Sequence, residues 1–518
     1  MSRLVIVSNR VADLRKPSAG GLAVAVGEAL EQTGGLWFGW SGAVADSGAE
    51  IQWHRQKAGD VTLITVDLCR SDYDRYYGGY SNGMLWPVFH NRLDLARFDP
   101  ADATAYQRVN QQFARLLLSQ LREDDILWVH DYHLIPLAAE LRALGCRQRI
   151  GFFLHIPFPP QIVLAAVPQH EWLVRSLFAY DLIGLQTQQD VRHFEGYVCE
   201  AAHGKAAEGG VFRAYGLQVA CQAFPIGIDV DGLSDLARSA SSQDMYKTLR
   251  QEYAQRRLLL GIDRLDYSKG LPQRLQAFRH LLATHPESCR SATLIQVGSP
   301  TREFIDAYAD IRRELETLCG SVNGDYGELD WMPVRYVHQT VPRESILGMC
   351  RAAHVGVVTP LRDGMNLVAK EYVAAQDAED PGVLVLSRFA GAAEQLHDAL
   401  LVNPYDIHST AQTLQQALQM PLNERRIRHQ NLLSGIRQQD VHWWRATFLA
   451  ALASCQSDAL EGEELRGSVS APAHLTQQGT YIPELNYRTA CKSAAVDWQS
   501  LVLSPLNRVR LDHTSPGV

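Results

Sequence analysis

No stretch of the 518 residues approaches the roughly 20 consecutive apolar positions of a bilayer-spanning helix, so no membrane partner is expected. The start, Met1-Ser2-Arg3 before Leu4-Val5-Ile6-Val7, has too short an apolar core for a secretory signal. It suits a first buried strand. Cysteine is sparse: nine residues, odd in number and scattered, with no Cys-x-x-Cys pair. That argues against a disulfide framework, makes no case for zinc or an iron–sulfur cluster, and fits reduced thiols in a cytoplasmic protein. Positive charge is in deficit, 49 Lys plus Arg against 57 Asp plus Glu, for a net charge of −8. Nonspecific nucleic-acid binding needs a basic surface, so nucleic acid is not an expected partner, although a local cationic pocket stays open. Short-period repeats are missing. So are Gly-x-Gly-x-x-Gly and a Walker lysine, which leaves NAD and a P-loop unsupported.

What remains is ordinary for a folded chain, 46% apolar and 20% charged. Short apolar runs alternate with amphipathic stretches. Strand-like runs lie at 4–7, 63–66, 126–130, 150–155 and 182–185, then at 257–262, 293–297, 355–359 and 383–387. Several are apolar on consecutive residues, as in parallel sheets covered on both faces. Helix-like segments lie at 106–121, 134–144, 271–283 and 304–318. The alternation predicts an α/β protein of two Rossmann-like domains facing a cleft. Pro225-Ile226-Gly227-Ile228-Asp229 and Ser239-Ala240-Ser241-Ser242 interrupt the pattern, dividing 1–236 from 237–456. Residues 425–452 read as one long helix carrying Trp443 and Trp444, packing back on the first half. Residues 457–518 read as an irregular tail.

Ligands of such folds sit beyond the carboxyl ends of the strands. Ser8-Asn9-Arg10 follows the first strand, and Gly20-Gly21 opens a helix whose free amides suit an anion. In Gly34-Gly35-Leu36-Trp37-Phe38-Gly39-Trp40-Ser41-Gly42, Trp37 and Phe38 suit the core and Trp40 a pocket. Tyr76, Tyr77, Gly78, Gly79, Tyr80 and Trp86 look like an aromatic binding loop, or else a surface patch. His130-Asp131-Tyr132-His133 ends a strand. Its two histidines lack a third metal ligand, whereas Asp131 can accept two hydrogen bonds from a diol. His155-Ile156-Pro157-Phe158-Pro159 ends the next strand. Arg264-Leu265-Asp266-Tyr267-Ser268-Lys269-Gly270 sets two cations five residues apart before a helix, able to converge on a diphosphate or to stand as solvated charges. In Asp363-Gly364-Met365-Asn366-Leu367-Val368-Ala369-Lys370-Glu371, Asn366 could open a helix, Asp363 could orient hydroxyls or cap that helix, and Glu371 could hold a ribose.

In order along the chain, these stretches resemble the trehalose-6-phosphate synthases, retaining nucleotide-sugar glycosyltransferases of the two-Rossmann (GT-B) type. The resemblance spans residues 2–452. It implies transfer of glucose from UDP-glucose to glucose 6-phosphate. Arg264, Lys269, Asp363 and His155 are implied to be catalytic, with Arg264 and Lys269 on the diphosphate. Gly20, Gly21, Leu367, Val368, Ala369, Lys370 and Glu371 would bind the donor, with Glu371 on the ribose. Val341 stands where the family often has an aromatic residue, so its donor contact would be through backbone. Arg10, Tyr77 and Arg302 would hold the acceptor phosphate, Asp131 an acceptor hydroxyl, and Trp40 would line that pocket. Trp86 and Ile156 would select the α anomer. No metal or other cofactor is implied, and a homo-oligomer, dimer or tetramer, is expected. Rival readings are a transferase making glucosylglycerol phosphate or using ADP- or GDP-glucose, and a catalytically dead sugar-phosphate sensor. The tail has no Asp-x-Asp-x-Thr-like phosphatase motif.

Overall fold

The structure, a computed structural model, describes residues 2–12, 27, 30, 34–46 and 52–455. Gly20, Gly21 and the expected tail at 457–518 lie outside them.

Ten strands form the first sheet: β1 (Leu4–Arg10), β2 (Gly35–Ala45), β3 (Trp53–Ala58), β4 (Val61–Cys69), β5 (Ile126–His130), β6 (Arg149–Phe153), β7 (Leu182–Leu185), β8 (Lys205–Ala207), β9 (Val211–Ala214) and β10 (Leu217–Ala223). Their order is β3-β4-β2-β1-β5-β6-β7-β10-β9-β8. From β4 to β10 all neighbours are parallel, and only the edges are antiparallel. The second sheet is wholly parallel: β11 (Arg257–Arg264), β12 (Ala292–Ser299), β13 (Val334–Val337), β14 (Val355–Val358), β15 (Val383–Ser387) and β16 (Leu400–Val402), in the order β13-β12-β11-β14-β15-β16. That is the doubly wound Rossmann order, and β4-β2-β1-β5-β6-β7 repeats it. Each sheet therefore has a point where the winding reverses, between β1 and β5 and between β11 and β14, and a crevice opens there at the carboxyl ends.

The expected strands are present because their side chains are buried on both faces: β7, β14 and β15 are buried throughout. The glycine- and aromatic-rich stretch near Trp37 is a strand, β2, with Trp37 and Phe38 in the core as expected and Trp40 on a cavity wall. Two local readings need correction. The expected aromatic loop is helical: Tyr73–Leu85 winds with i→i+5 hydrogen bonds, and Trp86–Phe89 continues it as an α-helix. Tyr76 and Tyr80 are buried there, and Gly79 packs so closely on Asp102 that a Cβ would meet its carboxylate. Residues 425–452 form two helices, not one. Leu422–Gln438 ends and Val441–Ser454 starts anew, with the Asp440 side chain accepting from the Trp443 amide as its N-cap.

Helix Val441–Ser454 lies on the first sheet. Gly151 of β6 and Gly184 of β7 make room for Phe448, whose ring a Cβ at either position would approach to 2.8 or 2.7 Å. Trp444 and Phe448 pack on Trp128 of β5 at ring-centre distances of 4.8 and 4.7 Å.

Candidate active site

At the second reversal point, β11 ends in Asp263-Arg264. Asp263 is buried and paired at 2.5 Å with Arg274 of helix Leu271–Thr284. Arg274 also donates to Gln296 on β12 (2.8 Å) and to Thr359 after β14 (3.0 Å). One buried guanidinium thus holds three strand ends together, which fixes where the next residue emerges. Arg264 is exposed, with its guanidinium 5.5 Å from the Trp86 ring centre. Asp266 is fully buried and accepts from the Ser268 amide (2.9 Å) and the Tyr308 hydroxyl (3.0 Å). Burial works against its charge, yet Arg302, Arg264 and Lys269 together hold its carboxyl down at about 2. Gly270 turns with φ +65°, where a Cβ would strike the Thr359 carbonyl, so the loop closes tightly behind Lys269.

Lys269 reaches across to Asp363 at 2.5 Å. Asn366 also donates to that carboxylate oxygen (3.0 Å). Burial opposes ionisation of Asp363, but the Lys269 ammonium outweighs it and keeps the carboxyl below its ordinary value. Asn366, not Asp363, caps helix Leu367–Ala375, accepting from the Ala369 amide. Leu367 and Val368 are half-buried in its first turn, and Ala369 is buried. The Lys370 side chain points away, into the core, donating to the Ile226 carbonyl (2.7 Å) and to Gln395 (2.6 Å). Burial lowers its pKa to about 7. Glu371 pairs with Arg343 at 3.5 Å, and burial raises its carboxyl despite that cation. Val341 is half-buried just before helix Arg343–Ala352.

At the first reversal point, Arg10 at the end of β1 lies 5.8 Å from the Trp40 ring, and a Cβ at Gly42 would collide with its guanidinium. Trp40, Tyr73 and Tyr77 pack together, and Tyr77 stacks on His133 at 5.9 Å. Arg302 enters from the loop after β12. It donates to Tyr308 (2.8 Å) and Tyr132 (3.1 Å), stands 3.8 Å from Asp266, and lies 4.1 Å over Trp86. Arg10, Trp40, Tyr77, His133 and Arg302 line one cavity of about 560 Å³, with Arg70 at the end of β4 also on its wall. Asp131 follows β5 with φ +77°, a strained conformation for a non-glycine residue. It accepts from the His155 amide (3.3 Å), and burial raises its carboxyl to about 6. Sequence reasoning passed over Asp266, Arg70 and Arg343, and weighed His133 only as a metal ligand. Asp266 sat inside a motif chosen for its cations, and Arg70 was readable as a strand-end cation.

The two loops meet at Gly364. A Cβ there would lie 2.0 Å from the carbonyl oxygen of His155 and 3.0 Å from the Ile156 Cα. Around that contact Arg362 pairs with buried Asp190 (3.4 Å), and the Glu394 carboxylate accepts from the amides of Gln188 and Gln189 at a helix N-terminus. Gly364→Ala therefore has no side chain to displace, only main chain of the opposite half. Turnover is expected to fall at least tenfold with the fold retained. Steady-state kinetics beside circular dichroism checks this; a wild-type kcat would mean that the contact is free to open.

Among the described residues no cluster of three or more His, Cys, Asp or Glu is disposed to hold a metal, and no helix is long and apolar enough to cross a membrane. Two doubly wound sheets, each bringing cations and a carboxylate to its reversal point, have the architecture of the GT-B glycosyltransferases. The family model of glycosyltransferase family 20 matches residues 7–454. The trehalose-6-phosphate synthase of Enterobacter sp. (strain 638) is 47% identical over 456 residues, 87% of this chain and 95% of that one. A UDP-forming α,α-trehalose-phosphate synthase from Burkholderia xenovorans, solved in complex with glucose-6-phosphate, is 50% identical, with a TM-score of 0.85 over 87% of this chain and all of that one. An E. coli structure bound with UDP-2-fluoro glucose is 43% identical, with a TM-score of 0.84 over 88% of this chain and 99% of that one. The chain belongs to glycosyltransferase family 20.

Proposed function

We propose that the chain transfers glucose from UDP-glucose to glucose 6-phosphate with retention of configuration, releasing UDP and forming α,α-trehalose 6-phosphate. The observation that carries this reading is the meeting at Gly364 of two reversal points, one bearing Arg264, Lys269 and Asp363, the other bearing Asp131 and the arginine-lined cavity. Both substrates are anions, and each side offers cations. The solved relatives with glucose-6-phosphate and with UDP-2-fluoro glucose support the same pair of substrates.

In this reading Arg264 and Lys269 hold the donor diphosphate. As the glycosidic bond opens toward an oxocarbenium-like state, negative charge grows on the departing UDP, and two preorganised cations stabilise it more than they stabilise the ground state. Asp363 keeps Lys269 in place. The first-turn amides of Leu367, Val368, Ala369 and Lys370 offer the donor hydrogen bonds, the Lys370 ammonium being committed to the core. Glu371, steadied by Arg343, takes the ribose hydroxyls, and Val341 contributes backbone. Arg10, Tyr77 and Arg302 take the acceptor phosphate, and Asp131 accepts from an acceptor hydroxyl. Trp40 lines that pocket. Trp86 and Ile156 shape the side that admits the α anomer, and His155 meets the transferred sugar. The leaving phosphate takes the acceptor's proton on the same face, so no covalent carboxylate nucleophile is needed. Both charged substrates are retained in the cytoplasm, where we place the enzyme.

Incubating the protein with UDP-glucose and glucose 6-phosphate and reading the product by NMR tests the assignment: an α,α-1,1 linkage with free UDP is expected. ADP- and GDP-glucose and glycerol 3-phosphate in parallel separate the related transferases. Arg10→Ala is expected to raise KM for glucose 6-phosphate about tenfold or more, the loss of one charge-assisted phosphate contact. A change confined to the UDP-glucose KM would reverse the two pockets.

A further inference from the structure

His130 closes β5 and is fully buried, walled by Trp128, Phe153 and Trp444 at ring-centre distances of 4.7, 6.3 and 6.3 Å. Its Nδ1 lies 3.0 Å from Nε2 of His155, the half-buried histidine whose carbonyl touches Gly364. Burial pushes the His155 pKa down to about 3 and that of His130 lower than its ordinary value as well, so both rings are neutral at pH 7. Between two neutral imidazoles one nitrogen donates and the other accepts, and each choice fixes both tautomers.

The surroundings of His130 decide which. If His155 donated, His130 would carry its proton on Nε2, a buried position with no acceptor among the described residues. The indole nitrogens of Trp128 and Trp444 are themselves buried donors without acceptors, so this cluster already has donors in excess. A third stranded N–H there costs more than a bare lone pair, since orphaned buried donors are the rarer state. His130 therefore donates from Nδ1, and His155 receives at Nε2. A neutral His155 must then hold its own proton on Nδ1, the nitrogen with no protein partner among the described residues.

We propose that His130 is a positioning residue: through this bond it fixes His155 in the tautomer protonated on Nδ1, so that His155 offers the transferred sugar an N–H donor in a set orientation. This rests on the reading of His155 as a sugar contact. A carboxylate in the place of His130 would bring a charge into an aromatic pocket, whereas a neutral ring fixes the tautomer without one.

The test combines spectroscopy and a double-mutant cycle. In protein labelled with nitrogen-15 at histidine, His155 (assigned by its loss in His155→Ala) is expected to show a protonated Nδ1 and a bare Nε2; the opposite pattern overturns the proposal. His130→Phe fills the cavity with a ring of similar volume and removes the bond. Its kcat/KM for UDP-glucose is expected to fall about tenfold, one hydrogen bond to the substrate. His130→Asn, which keeps an amide near the Nδ1 position, is expected to recover most of that loss. The double variant His130→Phe/His155→Ala is expected to match His155→Ala alone. Additive losses would mean that His130 acts otherwise, as would a wild-type His130→Phe beside an impaired His155→Ala. A wild-type His155→Ala would instead remove the sugar contact itself, a failure of the functional reading and not of the coupling. Should His130→Phe not fold, the nitrogen-15 pattern of the native enzyme and His130→Asn still decide.

Discussion

Arg264→Ala is expected to lower kcat by roughly 10²- to 10³-fold, the usual effect of removing one preorganised group from a developing oxyanion, while leaving stability within ~1 kcal/mol of the parent. The two halves of this expectation have separate causes. Arg264 is exposed with its guanidinium by the face of Trp86, and without it Arg302 and Lys269 still face buried Asp266, so the fold loses little. The strand end that presents it is held by the buried Asp263–Arg274 pair, which the substitution leaves intact. On the proposed assignment, in contrast, the charge on departing UDP loses one of its two cations. Arg264→Lys should recover only part of the rate, because an ammonium lacks the planar fork that grips two phosphate oxygens. UDP release under saturating substrates, beside a thermal melt, checks both halves; an unchanged kcat would sink the diphosphate role.

Arg302→Ala should behave differently, losing stability and acceptor affinity together. Its side chain is 8% exposed and ties Tyr132, Tyr308, Trp86 and Asp266 into one cluster. Removing one member of a buried ion pair typically costs about 3–5 kcal/mol. Here Arg264 and Lys269 still face Asp266, so a loss of about 2–3 kcal/mol is expected. The acid limb of stability reports the same cluster. Asp266 is held near 2, below the ordinary value for a carboxylate, so it releases its proton more readily in the folded state than in the unfolded one. Its contribution is therefore present above about pH 4 and is lost as pH falls toward 2. Without Arg302 burial has less opposing it, the folded carboxyl rises, and acid unfolding should begin at a higher pH. Urea melts from pH 7 to about pH 2, together with KM for glucose 6-phosphate, test this. An acid midpoint and a KM both equal to the parent's would remove Arg302 from the cluster and from the pocket.

The strand runs and the loops beyond them were legible because their signals are local. A buried parallel strand must be apolar on consecutive residues, and Ile126–His130, Leu182–Leu185 and Val383–Ser387 begin and end where the sequence pattern does. The segment around Tyr76 was misread because its glycines suggest a loop when seen alone. In the fold Gly79 is needed for close approach to Asp102, a residue of helix Pro100–Leu118. Residues 425–452 look continuous because both helices are amphipathic or apolar throughout, and the break depends on one capping aspartate.

By itself the sequence determined an α/β fold of two Rossmann-like halves and the strand-end motifs that carry its charged residues. Tertiary structure alone decided which of those groups meet. Lys269 and Asp363 are 94 residues apart and form one ion pair. Arg302, 170 residues from Tyr132, bridges the two halves. Asn366 and not Asp363 caps its helix, which leaves Asp363 to its lysine, and the Lys370 ammonium turns inward, away from the cleft. The reason is physical: strand and turn preferences are set by neighbours along the chain, whereas charge pairing and the tautomer of a buried histidine are set by neighbours in space.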